Sequence, residues 1–125
     1  MSAGTALQAQ LATAIEATGL LAGVYDGPPA RAAYPYVALD CGQERDWGHK
    51  SGEGREVFAA ITLWDEEPAR LHETADAVEA AALGVDVSDG WALVSLRLVK
   101  RRIVRDVAGP WAATIDLRAR LLRAE

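Results

Sequence analysis

The sequence predicts an α+β fold: a mainly antiparallel sheet of four strands or slightly more, flanked by two helices, in the order α-β-β-α-β-β. Three observations predict it. Two segments space their apolar residues for a helix stripe, Thr5 to Thr18 and Pro68 to Gly84. Two others alternate with period two, Glu56 to Trp64 and Trp111 to Leu121. The breaks between strands are of hairpin length, which suits an antiparallel sheet covered on one side by both helices. With 125 residues, the whole chain 1–125 is expected to be one domain.

In the first helix Leu7, Leu11, Ala14, Ile15 and Thr18 form the stripe, Thr5 and Gln8 have capping-box spacing, and Gly19 is the stop. The segment YDGPPARAAYPYVALDCG follows, too rich in proline for a helix. Its second half, Tyr36 to Asp40, reads as a strand that Pro35 can open. Cys41 to Gly54 holds four glycines and almost no aliphatic side chain, so it reads as a loop. In the next strand Val57, Ala59, Ile61 and Leu63 alternate with Glu56, Phe58, Ala60 and Thr62. Pro68 then fits the first turn of the second helix, whose stripe is Leu71, Ala75, Val78 and Ala82, with Gly84 at its end.

Trp91 to Val104 reads as a long strand whose alternation switches face, Val94, Leu96 and Leu98 on one side and Val99 and Ile103 on the other. A β-bulge near Lys100 to Arg102 accounts for the switch, because one extra residue reverses the alternation. A turn is expected over Asp106 to Pro110. The last strand points Trp111, Ala113, Ile115, Leu117, Ala119 and Leu121 inward and leaves Thr114, Asp116, Arg118 and Arg120 on a wet face.

Composition excludes several classes. A net charge of −5 opposes a dedicated nucleic-acid binder. Cys41 is the single cysteine, which removes internal disulfides and zinc-thiolate sites and fits synthesis in a reducing cytoplasm. The N-terminal residues lack the basic start and apolar stretch of a secretion signal, and no window has the length of a membrane span. Gly52 and Gly54 precede a strand rather than a helix, so they are no phosphate loop. Cys41 with His49 lacks an orienting third group, and His72 with Glu73 are neighbours that do not share a helix face. No catalytic residue, metal ligand or cofactor is therefore expected.

Two stretches are candidate contact surfaces. The loop GQERDWGHKSGEGRE sets Arg45, His49, Lys50 and Arg55 around Trp47, either as a solvated hairpin tip or as a partner-contact loop anchored by the tryptophan. Arg101, Arg102 and Arg105 belong to the one basic concentration, either paired outward residues of a strand or an electrostatic face toward phosphate or an acidic protein. Without interleaved aromatics, a protein partner is the better match.

The succession VYDGPPARAAYPYVAL, RDWGHKSGEGRE, a strand closing in ITLW, an alanine-rich helix and VKRRIVRDVAGPWAATIDLRARL resembles the tail-terminator, or tail-completion, family of siphophages and gene transfer agents. The resemblance covers nearly the whole chain. It implies a non-enzymatic virion protein with a sheet flanked by helices. It also implies a homo-hexamer that caps the head-proximal end of the tail tube, ends polymerisation and joins tail to neck. Its implied partners are the major tail tube protein and the neck or head-tail connector proteins. DNA would pass through the lumen without specific binding, and no membrane is involved. The expected place is the tail/neck junction of a virion assembled in the host bacterial cytoplasm. Two other readings stay open: a head-completion or connector component of the neck, and a small ligand-binding module or enzyme using the 41–54 loop.

Overall fold

The structure is a computed structural model and describes residues 1–105, 107 and 109–124. Helix α1 spans Ala3–Glu16 and helix α2 Pro68–Leu83. The strands are β1 (Gly23–Asp26), β2 (Tyr36–Asp46), β3 (Gly54–Asp65), β4 (Trp91–Arg105) and β5 (Trp111–Arg123). They form one sheet in the order β1-β2-β3-β5-β4. All neighbours are antiparallel except β1 with β2, which are parallel.

The α+β class and the two helices are as expected, but the sheet has five strands and is mixed. The order is α-β-β-β-α-β-β, because Gly23–Asp26 forms an edge strand ahead of the proline-rich crossing. Both helices pack on one face. Leu7, Leu11 and Ile15 of α1 and Leu71, Ala75 and Val78 of α2 join Leu39, Ile61, Leu63, Ile115 and Leu117 of the sheet in a single buried cluster. Among the described residues the opposite face carries no helix.

Ser2, not Thr5, caps α1: its hydroxyl accepts from the Thr5 amide at 3.1 Å. Gln8 instead uses its side-chain oxygen to accept from the Cys41 amide at 3.2 Å, tying α1 to β2. Gly19 sits just beyond the helix at φ 69°, a left-handed stop. Pro68 occupies the first turn of α2, and Gly84 is its C-cap.

Half of Cys41 to Gly54 is strand, which corrects the expected loop. β2 continues to Asp46 and β3 starts at Gly54, with the register shifting between Asp40 and Gln43. What remains is a tight tip, where His49 and Gly52 exchange backbone hydrogen bonds of 3.0 and 3.2 Å. The expected bulge in β4 is present as two register shifts, Leu93/Ser95 and Leu98/Lys100, rather than one at Lys100 to Arg102. Val94, within the first shift, therefore does not follow Leu96 and Leu98, which lie opposite the inward Ala119 and Leu117; Val94 is 52% exposed, and Leu98, though on the inward side, is 41% exposed. The turn expected over Asp106 to Pro110 lies partly outside the described residues.

Gly4 sets the spacing between α1 and β2. A methyl group there would overlap the Cys41 carbonyl oxygen. Glycine to alanine in a helix ordinarily stabilises by about 1 kcal/mol. Here backbone must move, at about 1–3 kcal/mol for overpacking. Gly4→Ala is expected to lower the thermal midpoint, and a raised midpoint would show that α1 can lift off β2 at little cost.

Candidate functional site

The helix-free face of the sheet and the β2–β3 hairpin tip hold most of the residues expected to meet a partner. Cross-strand partners share a face, so the register assembles this surface row by row. Arg45, Glu56 and Arg120 form one row. Gln43, Phe58, Arg118 and Arg97 form the next. Below them come Asp40, Ala60, Asp116 and Lys100, then Ala38, Thr62, Thr114 and Arg102.

Glu56 is the centre of the upper rows. It stands at an outward position of β3, yet its side chain is only 2% exposed. Arg45 Nε donates to Oε1 at 2.5 Å, Arg120 Nε to Oε2 at 2.9 Å, and Arg118 Nε lies 3.9 Å from Oε2. The hydrogen bond from Arg120, followed by that from Arg45, holds the carboxyl below its usual range despite the opposing effect of burial. Among the described residues Arg118 Nε is buried without a hydrogen-bond partner. One carboxylate thus serves three guanidinium groups, and the neighbourhood stays positive.

Trp47 is half-buried, with the Arg120 guanidinium 5.5 Å from its ring centroid. The tryptophan is fixed against the sheet rather than held out as a free anchor. Gly54 permits this, since a side chain there would press on the Trp47 carbonyl. His49 and Lys50 are exposed at the tip, with His49 Nδ1 accepting from the Ser51 amide at 3.2 Å. Arg55 is half-buried beside Glu53 at 3.3 Å and Asp46 at 3.7 Å.

The expected second surface divides. Arg101 points to the helix side, where it meets Asp76 at 2.8 Å and Glu79 at 3.3 Å on α2. Arg105 lies over the Trp111 ring at 5.6 Å. Arg102 is exposed on the helix-free face. The structure therefore joins Arg45, Trp47 and Arg102 to one face and assigns Arg101 and Arg105 to the other.

At the far end of the open face, Tyr36 stacks on Trp64 at 4.9 Å and on Tyr34 at 5.8 Å, with Tyr25 edge-on at 6.1 Å. The proline-rich crossing thereby places its tyrosines in one aromatic cluster. Trp91 is buried, donating from Nε1 to the Met1 carbonyl at 3.1 Å under the Arg123 guanidinium.

Two residues that matter here escaped sequence reasoning: buried Glu56, and Asp65, whose side chain is fully enclosed. Asp65 receives Arg70 through two hydrogen bonds of 2.6 Å and holds the Glu67 amide at 3.2 Å before α2. The Arg70 hydrogen bonds push its carboxyl down. Alternation marks Glu56 as outward, and only the strand register shows the arginines that cover it.

Burial pushes the Cys41 thiol up to about 12, so it is no thiolate nucleophile at neutral pH. Among the described residues no group of three or more His, Cys, Asp or Glu is placed to hold a metal, and no helix is long and apolar enough to cross a membrane.

A sequence profile for the tail completion protein gp17 family matches residues 5–122. The chain belongs to that family. The family resemblance carried by the DGPP, YPYV and strand-closing tryptophan motifs is thus correct. The structure is similar to a chain in the virion of a native gene transfer agent particle, at TM-score 0.72 and 25% identity, covering 97% of this chain and 95% of that one. A search of curated proteins gives no match.

Proposed function

We propose that this tail-completion chain caps the head-proximal end of the tail tube as one subunit of a hexameric ring, where it ends tube polymerisation and joins the tail to the neck. The observation that carries this reading is the family match over residues 5–122, supported by likeness to a gene transfer agent virion chain along nearly its whole length. The chain is then a structural protein of a phage-type particle, acting at the tail/neck junction after assembly in the host bacterial cytoplasm.

A closed rotational ring is heterologous: each subunit needs two different lateral patches, besides axial surfaces for the tube and the neck. This fold has distinct surfaces to give to each: a helix layer, an open sheet face, and a hairpin tip. His49 and Lys50 at the tip and Arg102 on the open face are free to touch a partner, while Arg45 and Trp47 shape the surface between them. The tube protein and the neck connectors are the axial partners. DNA crosses the lumen without specific binding.

Loss of the gene is expected to give tails of uncontrolled length and unjoined heads, visible by electron microscopy. Finished tails of normal length beside unjoined heads would move the chain to a head-completion role, and intact particles would overturn both readings.

A further inference from the structure

The two broad surfaces of this fold carry opposite charge. On the open face stand Arg45, Arg97, Lys100, Arg102, Arg118 and Arg120, against buried Glu56 and the carboxylates Asp40 and Asp116. Arg97 is directly opposite Arg118, a like-charge pair that strand pairing disfavours. With Arg118 Nε unpartnered and three guanidinium groups sharing one carboxylate, the face holds positive charge left unbalanced among the described residues. An incoming acidic surface would relieve it.

The chain carries such a surface on its other side. From Asp65 to Asp89, through α2 and its flanking turns, Arg70 is the single Lys or Arg. Glu66, Glu67, Glu73, Asp76, Asp86 and Asp89 are all exposed there. Arg70 is already committed to Asp65, and Asp76 remains open to solvent although it touches Arg101. Because α2 covers one face of the sheet and the basic residues lie on the other, the two patches point in opposite directions.

We infer that the chain self-associates head to tail, the acidic outer side of α2 in one copy docking on the basic open face of the sheet in the next. The contact is heterologous, so it propagates from copy to copy until rotation closes it. Beside these cations a shallow groove lined by Phe58, Ala60 and Val99, with Asp40 and Asp116 at its edge, offers apolar contact but local negative charge, so the docking helix is expected to meet the arginine and lysine rows rather than the groove. This deepens the ring reading and rests on it for closure.

Sedimentation at low and high salt tests the contact, since an electrostatic interface weakens as ions screen it. The wild-type chain is expected to self-associate at up to about 1 mM in low salt and to dissociate in about 1 M salt. Arg97→Glu/Lys100→Glu/Arg102→Glu and Glu66→Arg/Glu73→Arg are each expected to weaken association about 100-fold. All five positions are exposed, and circular dichroism verifies that both variants fold. An equimolar mixture of the two variants should associate again, because each reversed face then meets its complement.

Wild-type chain that stays monomeric, a variant that associates like wild type, or a mixture that fails to recover would each overturn the proposal. Monomer that nevertheless binds heparin through Arg97, Lys100 and Arg102 would assign the face to a different acidic partner and equally overturn it. The ring reading fails separately. A sixfold ring on isolated tails alongside a negative solution result would leave the ring standing with other lateral faces, whereas tails without a ring would remove it.

Discussion

Ile61→Ala is expected to lower the unfolding free energy by about 3–4 kcal/mol, near the upper half of the range for large-to-small core changes. Ile61 is fully buried on the central strand β3, with Leu39 of β2 and Ile115 of β5 as its register partners. Leu11 and Ile15 of α1 and Val78 of α2 share its cluster. Because three strands and two helices bound the site, it cannot collapse without moving elements that are themselves fixed, so most of the vacated volume stays empty. Ile61→Val, one methylene smaller, should cost only about 1 kcal/mol. Urea denaturation at neutral pH measures both, with unchanged slope expected for each. A loss under about 1.5 kcal/mol for the alanine variant would mean that the helix layer readily closes on the sheet.

Residues such as Ile61 were readable in advance because they obey a local period. The stripes of α1 and α2 and the alternation of β3 and β5 follow from apolar spacing within one segment, and the structure reproduces them to within a few residues. Features that depend on a distant partner were not readable. β1 is four residues long and exists by pairing with Tyr36–Leu39 across the proline-rich crossing. The outer half of β2, Gln43 to Asp46, is polar, so it resembles a loop until β3 supplies its hydrogen bonds. Cys41 and Gly42 fall within the register shift of β2, where alternation carries no message. In β4 the two shifts keep Leu93, Leu96, Leu98 and Ile103 opposite the inward residues of β5 although their spacing in sequence does not alternate, and one bulge placed by pattern could not represent this.

The candidate surface divides along the same line. Its residue types were visible, since arginines and a tryptophan in a glycine-rich segment are apparent from composition. Their assortment was not. Arg101 and Arg102 are adjacent, yet strand geometry sends one to Asp76 and Glu79 and the other to the opposite side of the sheet. Trp47 depends on Arg120, and Arg45 on Glu56, contacts that only the β2–β3–β5 register creates.

Glu56→Gln should destabilise the chain at neutral pH and flatten its response to acid. The amide keeps the carboxylate's shape but removes the only charge that the Arg45, Arg118 and Arg120 guanidinium groups share, leaving three cations around a neutral group. Arg45 is 70% exposed and can turn to water, whereas Arg118 and Arg120, each 35% exposed, are held against the sheet. The thermal midpoint at pH 7 is expected to fall by roughly 5–10 °C. The pH dependence has a definite sign. Glu56 and Asp65 both titrate below their usual range when folded. Each therefore contributes stability that is complete above its unfolded pKa, about 4.3 for Glu and 3.9 for Asp, and is lost as pH falls through the folded value. The wild-type midpoint should hold down to about pH 5 and then drop. In Glu56→Gln only the Asp65 contribution remains, so the variant starts lower, loses less, and approaches wild type in acid. Melts recorded from neutral pH downward test this directly: two parallel curves would show that ionised Glu56 does not help hold the three arginines in place.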